Sequence, residues 1–295
     1  MRVLLVLLTL FFPLGTQANE QVAEDLFKPM RVGMDERLPS WIKDELPEQL
    51  FEVNRFIEET FGSVRTHDLT VRVFLTRPDD PWQTTVSRRY SQNGSPAFVD
   101  IRIHGAAKSR DSSKLKGLVR QVFPAIAASY GVLPVPEKRL SPYRWLDAGA
   151  IEYFSNRLTR DPSSFMETVQ DWESNCDLQF AMNDNTYVWG KDDFDIPCGA
   201  FIYAVLDRAF RHESGGKRGV EQVWAVYRGL GDAADTSQEP VGLFIQALES
   251  VQQTVPASAF LSEFMATDKR LYELIGRYGP QFGLWKGWPY EEQNK

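Results

Sequence analysis

Three histidines are the side chains of this 295-residue sequence best suited to binding a metal or moving a proton near neutral pH. His67, His104 and His212 lie far apart, and none belongs to an H-x-x-x-H or H-x-H pattern. Two histidines one helical turn apart would be needed to bring both imidazoles to one metal ion. We therefore expect surface or core histidines, although His104 ends a predicted strand and could face a groove.

Other catalytic patterns are missing from the sequence. No G-x-S-x-G nucleophile motif is present, and the Gly149-Ala150 and Gly215-Gly216 pairs do not belong to phosphate-binding patterns. Four aspartates could bind calcium, but their spacing does not match an EF-hand, which favours a solvated acidic loop. These four are Asp184, Asp192, Asp193 and Asp195.

Two apolar segments carry the most informative pattern. Residues 115–126 read L-K-G-L-V-R-Q-V-F-P-A-I, and residues 145–154 read W-L-D-A-G-A-I-E-Y-F. The second segment resembles the W-L-x-E-G-x-A-E-Y-F signature of gluzincin metallopeptidases, the peptidase MA superfamily. In that family the first Glu of the signature binds zinc, and an upstream H-E-x-x-H helix supplies two His ligands and the general base.

The resemblance implies a site whose chemistry is lost. Arg120, Gln121 and Pro124 stand at the H-E-x-x-H positions, and Ala148 stands at the zinc-binding Glu. A guanidinium brings positive charge where a cation should bind, and an amide cannot accept the proton of an attacking water. Proline and alanine side chains have no metal-binding atom. We expect no resident metal and no cofactor.

Glu152 lies one helical turn beyond Ala148 and could point into the former site. A compensating bond between Arg120 and Glu152 is one hypothesis. In the alternative, each side chain points to solvent or to another partner.

The order of predicted elements indicates an α+β fold, with a small, mainly antiparallel N-terminal sheet followed by a helical bundle, as in zincin-like domains. Strands are expected at 69–76, 84–90 and 97–103, the last two joined by an Asn93-Gly94 hairpin turn. Helices are expected at 44–61, 113–130 (capped by Ser112 or Ser113), 143–157, 199–212, 219–230, 241–252 and 257–278.

In the family that the sequence resembles, an edge strand pairs with the extended substrate, and residues 97–103 occupy the corresponding place. The binding candidates are therefore Ala97, Val99, Ile101, Ile103 and His104 on this strand, with Arg120 and Glu152 on the helices.

The N-terminus predicts export. Residues 1–18 have a positive start, an apolar run and a small-x-small cleavage site, as in a signal peptide. We expect a periplasmic or secreted protein with no transmembrane segment after cleavage. A loosely ordered segment at 19–43 would precede a single domain at 44–279 with an insertion at 161–197, and an aromatic tail at 280–295 would follow.

Net charge and cysteine content narrow the possible functions and the cellular compartment further. The net charge of −7 argues against general nucleic-acid binding, which needs a cationic surface. Cys176 and Cys198 are the two cysteines, and in an oxidising compartment we expect them to pair within an otherwise irregular segment rather than remain buried thiols. A basic run beside the former site forms either a solvated face or an anion-attracting patch. Its members are Arg102, His104, Lys108, Arg110, Lys114, Lys116 and Arg120.

These observations favour an exported, non-catalytic peptidase-like protein that binds a peptide or protein partner in the former substrate groove. One alternative is an active metal-dependent hydrolase with non-standard ligands. A second alternative is a structural envelope protein. The oligomeric state does not follow from the sequence.

Overall fold

The computed structural model describes residues 30–61, 69–89, 97–105, 110–130, 144–183, 192–233, 239–266 and 271–284. The expected signal peptide, the hairpin turn and the segment 285–295 lie outside these ranges, and so do His67, Lys108 and Asp184. Within them the strands are β1 (Met30–Met34), β2 (Leu69–Thr76), β3 (Gln83–Arg89) and β4 (Ala97–His104). The helices are α1 (Ser40–Phe61), α2 (Ser112–Ser129), α3 (Arg144–Thr159), α4 (Pro162–Met182), α5 (Asp192–Ser214), α6 (Val220–Ala233), α7 (Pro240–Val251), α8 (Ala257–Ala266) and α9 (Leu271–Tyr278), followed by a 3-10 turn at Gly279–Phe282.

The strands within the described ranges form one mixed sheet in the order β1-β2-β4-β3. β1 pairs with β2 and β2 pairs with β4 in parallel, whereas only β3 and β4 are antiparallel. The predicted α+β architecture is confirmed, but the expectation of a mainly antiparallel sheet is wrong. The hairpin of β3 and β4 supplies the antiparallel pair, and longer connections carry the chain into the two parallel pairs.

β4 is an interior strand, which corrects the prediction that it forms the edge. Its backbone pairs with β2 on one side and with β3 on the other, so its hydrogen-bonding groups are already used along Ala97–His104. Val99, Ile101 and Ile103 are also fully buried. The described strands at the edges are β1 and β3, and β3 is the one that contacts α2.

One face of the sheet packs on helices. Val71, Val73 and Leu75 alternate along β2 and are buried, while the residues between them are partly exposed. α1 lies on this side and buries a stripe at spacings of three and four residues, as an amphipathic helix does. The buried stripe consists of Ile42, Leu46, Leu50, Val53 and Ile57.

The helical half is centred on α3 and α5, which pack closely along their length. Cys176 on α4 and Cys198 on α5 form a disulfide, with their sulfur atoms 1.97 Å apart, as predicted. The expectation of an irregular segment is wrong, because Pro162–Met182 is a continuous helix that buries Val169, Trp172 and Phe180. In the part of the chain that the structure describes, no helix is long and apolar enough to span a bilayer.

Candidate functional site

α2 carries the positions that the resemblance assigns to the H-E-x-x-H motif. Its N-cap is Asp111, whose carboxylate accepts hydrogen bonds from the backbone N–H groups of Ser113 and Lys114, so the expected serine cap is wrong. The helix continues through Pro124 to Ser129. A proline there has no N–H to donate to the carbonyl of Arg120, one turn earlier.

α3 packs against α2 and carries the position that the resemblance assigns to the zinc-binding Glu. Ala148 is buried, with 7% of its surface exposed. The next residue, Gly149, lies against the backbone of Gly199 on α5, where an added Cβ would come within 2.5 Å of the Gly199 carbonyl carbon. α3 is therefore fixed between α2 and α5.

Arg120 and Glu152 do not form the direct ion pair that the sequence suggested. Asn156, which is 1% exposed, lies between them: its side-chain oxygen accepts from Nη1 of Arg120 at 3.3 Å. Its amide nitrogen donates to Oε1 of Glu152 at 2.8 Å. The same Asn156 oxygen also accepts from Nε of Arg160 at 2.8 Å. A neutral amide therefore holds two guanidinium groups together.

The charges around Arg120 are unbalanced. Burial lowers the pKa of its guanidinium, the positive charge of Arg160 lowers it further, and the negative charge of Glu152 opposes both effects. Arginine keeps its proton under all ordinary conditions, so the lowered pKa means that burial, and to a smaller extent the charge of Arg160, make this site unfavourable for the guanidinium.

Gln121 connects α2 to the edge strand. Its side-chain oxygen accepts a hydrogen bond from the hydroxyl of Thr84 on β3 at 2.5 Å. Thr84, Val86 and Arg88 lie opposite buried residues of β4 in the sheet register, so these three side chains of β3 lie on the helix side of the sheet. The amide at the position that the resemblance assigns to the general base therefore contacts the edge strand.

His104 and the basic run are not one site. Nδ1 of His104 lies 3.3 Å from the hydroxyl of Thr76, on the neighbouring strand. Arg110 forms an ion pair with Glu45, and Lys114 pairs with Asp111. Lys116 and Arg120 line one pocket together with Arg160.

The side chains at the four positions that the resemblance assigns to a zinc site do not suit a metal ion. They are a guanidinium, a carboxamide, a pyrrolidine ring and a methyl group, whereas the motifs that they resemble have two imidazoles and one carboxylate as ligands and a second carboxylate as general base. Among the residues that the structure describes, no group of three or more His, Cys, Asp or Glu side chains is placed to hold a metal ion.

Sequence reasoning missed Asn156 and Arg160. Asn156 lies on the face of α3 that carries Glu152, and Arg160 follows the helix four residues later, so the helical period could have pointed to them. Polar residues are usually exposed to solvent, so the sequence offered no reason to place these two against α2.

No family model matches this sequence, and no curated protein matches it. Among solved structures, the crystal structure of an aminopeptidase N family protein from Idiomarina loihiensis is similar, with a TM-score of 0.58 and 13% sequence identity. The match covers 85% of this chain and 47% of that chain, so this chain spans about half the length of that protein. At this identity the likeness shows the fold alone. The protein therefore has a peptidase-like fold, similar to part of an aminopeptidase N family protein.

Proposed function

We propose that this protein is an exported, non-catalytic member of the peptidase-like fold that binds an extended peptide or protein segment along β3. The Asn156 contact supports the non-catalytic part of the proposal, and the edge position of β3 among the described strands supports peptide binding. The residue at the first lost ligand position, Arg120, is held by a buried amide within the packing of α2 and α3.

The absence of catalysis rests on the chemistry of the side chains. A metal-activated water needs ligands with available lone pairs and a base that accepts its proton. Arg120 has no lone pair to donate, and Gln121 has no titratable group. The hydrogen bond between Gln121 and Thr84 gives that amide a role in joining α2 to the sheet.

The peptide-binding half rests on the position of β3. β3 pairs only with β4 among the described strands, so its outer side has backbone N–H and C=O groups for an added strand. Such main-chain pairing tolerates many peptide sequences. The buried disulfide between Cys176 and Cys198 supports export, because structural disulfides persist in oxidising compartments.

Hydrogen–deuterium exchange tests the binding site within one molecule. The purified protein is incubated with a tryptic digest of casein, and backbone protection is compared between β3 and β1, the other edge of the sheet. We expect peptide-dependent protection of Gln83–Arg89 and unchanged exchange at Met30–Met34. The peptides should be recovered uncleaved by mass spectrometry.

Three outcomes count against the proposal. Unchanged exchange at β3 with saturating peptide would show that peptides do not bind at this edge. Peptide cleavage that a chelator abolishes would favour the alternative of an active hydrolase with non-standard ligands. A stable protein complex that forms without any protection of β3 would favour a structural envelope role.

A further inference from the structure

A pocket of about 190 Å³ opens between the N-terminal half of α2 and the junction of α3 with α4. Its volume exceeds the roughly 30 Å³ that one water molecule occupies in the liquid. It is lined by Ser113, Lys116, Arg120, Thr159, Arg160, Asp161 and Ser164.

The pocket gathers three cations that form no close ion pair. Among the residues that the structure describes, Lys116, Arg120 and Arg160 have no carboxylate within ion-pair distance, whereas Arg110 and Lys114 near this end of α2 are paired with Glu45 and Asp111. Bringing like charges together costs free energy, which a bound anion would offset.

The positions of the three cations on their helices bring their side chains to the same pocket. Lys116 and Arg120 are four residues apart on α2, so they lie on the same face of that helix. Arg160 follows the last turn of α3, and Asn156 fixes its guanidinium and that of Arg120 on one amide oxygen. That contact uses one donor group on each arginine and leaves the remaining N–H groups of both to bind a ligand.

The acidic groups near the pocket have other partners. The Asp161 carboxylate caps α4 through the N–H and hydroxyl of Ser164. These bonds and the positive charge of Lys116 lower the pKa of Asp161, so it stays ionised at neutral pH. Glu152 does not line the pocket and accepts from Asn156. The lining therefore has three positive charges and one negative charge, a net charge of plus two.

We infer that this pocket binds a phosphate group, as inorganic phosphate or as a phosphate monoester. A phosphate monoester has a charge of about −1.5 to −2 at pH 7, which balances the net charge of the lining. A single carboxylate would neutralise only half of that charge. Guanidinium groups match phosphate oxygens in two-point hydrogen bonds. This inference is independent of peptide pairing at β3.

Isothermal titration calorimetry at fixed ionic strength tests the site with three probes: inorganic phosphate, O-phosphoserine and acetate. We expect saturable one-to-one binding of the two phosphates and no saturable binding of acetate. Arg160→Gln should weaken phosphate binding by about tenfold or more, because a charge-assisted hydrogen bond is lost. Arg31→Gln, at an exposed cation on β1, should bind as the unchanged protein does.

Circular dichroism checks that Arg160→Gln is folded. If it is not, Lys116→Gln replaces it, because Lys116 is exposed and has no contact with Asn156. A preference for O-phosphoserine would identify a monoester as the ligand, and equal binding would identify the free anion. Failure of both phosphates to saturate, equal binding by the pocket variant and the Arg31 variant, or acetate binding as tight as phosphate binding would each overturn the inference.

Discussion

Gly149 and Gly199 touch backbone to backbone where α3 crosses α5. A Cβ on Gly149 would lie 2.5 Å from the carbonyl carbon of Gly199, and a Cβ on Gly199 would lie 2.4 Å from the carbonyl oxygen of Trp145. Both neighbours are backbone atoms, which cannot turn away as a flexible side chain does. The glycine in the segment that resembles W-L-x-E-G therefore has a packing role, which does not depend on a bound metal.

The first prediction concerns this crossing. Gly149→Ala should lower the free energy of unfolding by about 1–3 kcal/mol, because an added methyl group forces the two helices apart. Urea denaturation measures the change.

Gly117→Ala is the matched control, because it also lies inside a helix but has no atom within 4 Å of its added Cβ. That change should be neutral or stabilising by up to about 1 kcal/mol, since alanine is the better helix former. Equal effects of the two substitutions would contradict the packing role of Gly149.

The second prediction concerns the disulfide. Replacing Cys176 and Cys198 together by alanine should lower the free energy of unfolding by about 3 kcal/mol, because a loop with a sequence separation of 22 is no longer closed in the unfolded chain. Thermal and urea unfolding measure the loss. Leu178→Ala, at an exposed position on the same helix, should change stability by less than about 0.5 kcal/mol. A double variant as stable as the unchanged protein would show that the bridge contributes nothing.

The third prediction concerns Glu213 and pH. Burial alone would raise the pKa of Glu213, but hydrogen bonds from the backbone N–H groups of residues 253–255 hold it below its ordinary value of 4.5. Two of these bonds, from Gln253 and Val255, are 3.0 Å long. A carboxyl group with a lowered pKa stabilises the fold above its unfolded-state pKa, and this contribution is lost as the pH falls through the folded-state pKa.

Glu213→Gln should therefore destabilise the protein by about 1–3 kcal/mol at pH 7, since several charge-assisted hydrogen bonds lose their charge. The difference from the unchanged protein should shrink as the pH falls below 4.5. Urea denaturation at several pH values measures both effects. Glu249→Gln, at an exposed site on α7, serves as the control. A stability difference that stays constant across this pH range would contradict the assignment.

The fourth prediction concerns Asn156. Asn156→Leu keeps a side chain of similar size but removes the acceptor that Arg120 and Arg160 share. We expect a loss of about 1–3 kcal/mol, because two partly buried guanidinium groups lose the acceptor that they share. Unchanged stability on urea denaturation would mean that both guanidinium groups reach water or another acceptor.

The sequence predicted the elements with clear periodicity. β2 was expected at 69–76 and begins and ends at those residues, because its apolar residues alternate strictly. The expected helices at 113–130 and 143–157 differ from α2 and α3 by at most two residues at each end. β1 was missed because Met30–Met34 is a five-residue strand that contains a glycine.

Strand order and polar contacts could not be predicted. The position of β4 between β2 and β3 depends on how the connections cross the sheet, which no local pattern specifies. The contact of Asn156 with two arginines depends on the packing of α2 against α3. α4 does have a signal, since its buried residues at 169, 172, 176 and 180 recur at helical spacing. The pattern was overlooked because the segment is rich in polar and acidic residues.

Zinc content tests the central claim most directly. The protein is purified, incubated with excess zinc, passed through a desalting column and measured by inductively coupled plasma mass spectrometry. A variant with all four former positions restored, through Arg120→His, Gln121→Glu, Pro124→His and Ala148→Glu, provides the comparison. The account predicts no stoichiometric zinc on the natural protein and a gain of zinc on the restored variant. Stoichiometric zinc on the natural protein, together with chelator-sensitive peptide cleavage, would contradict it.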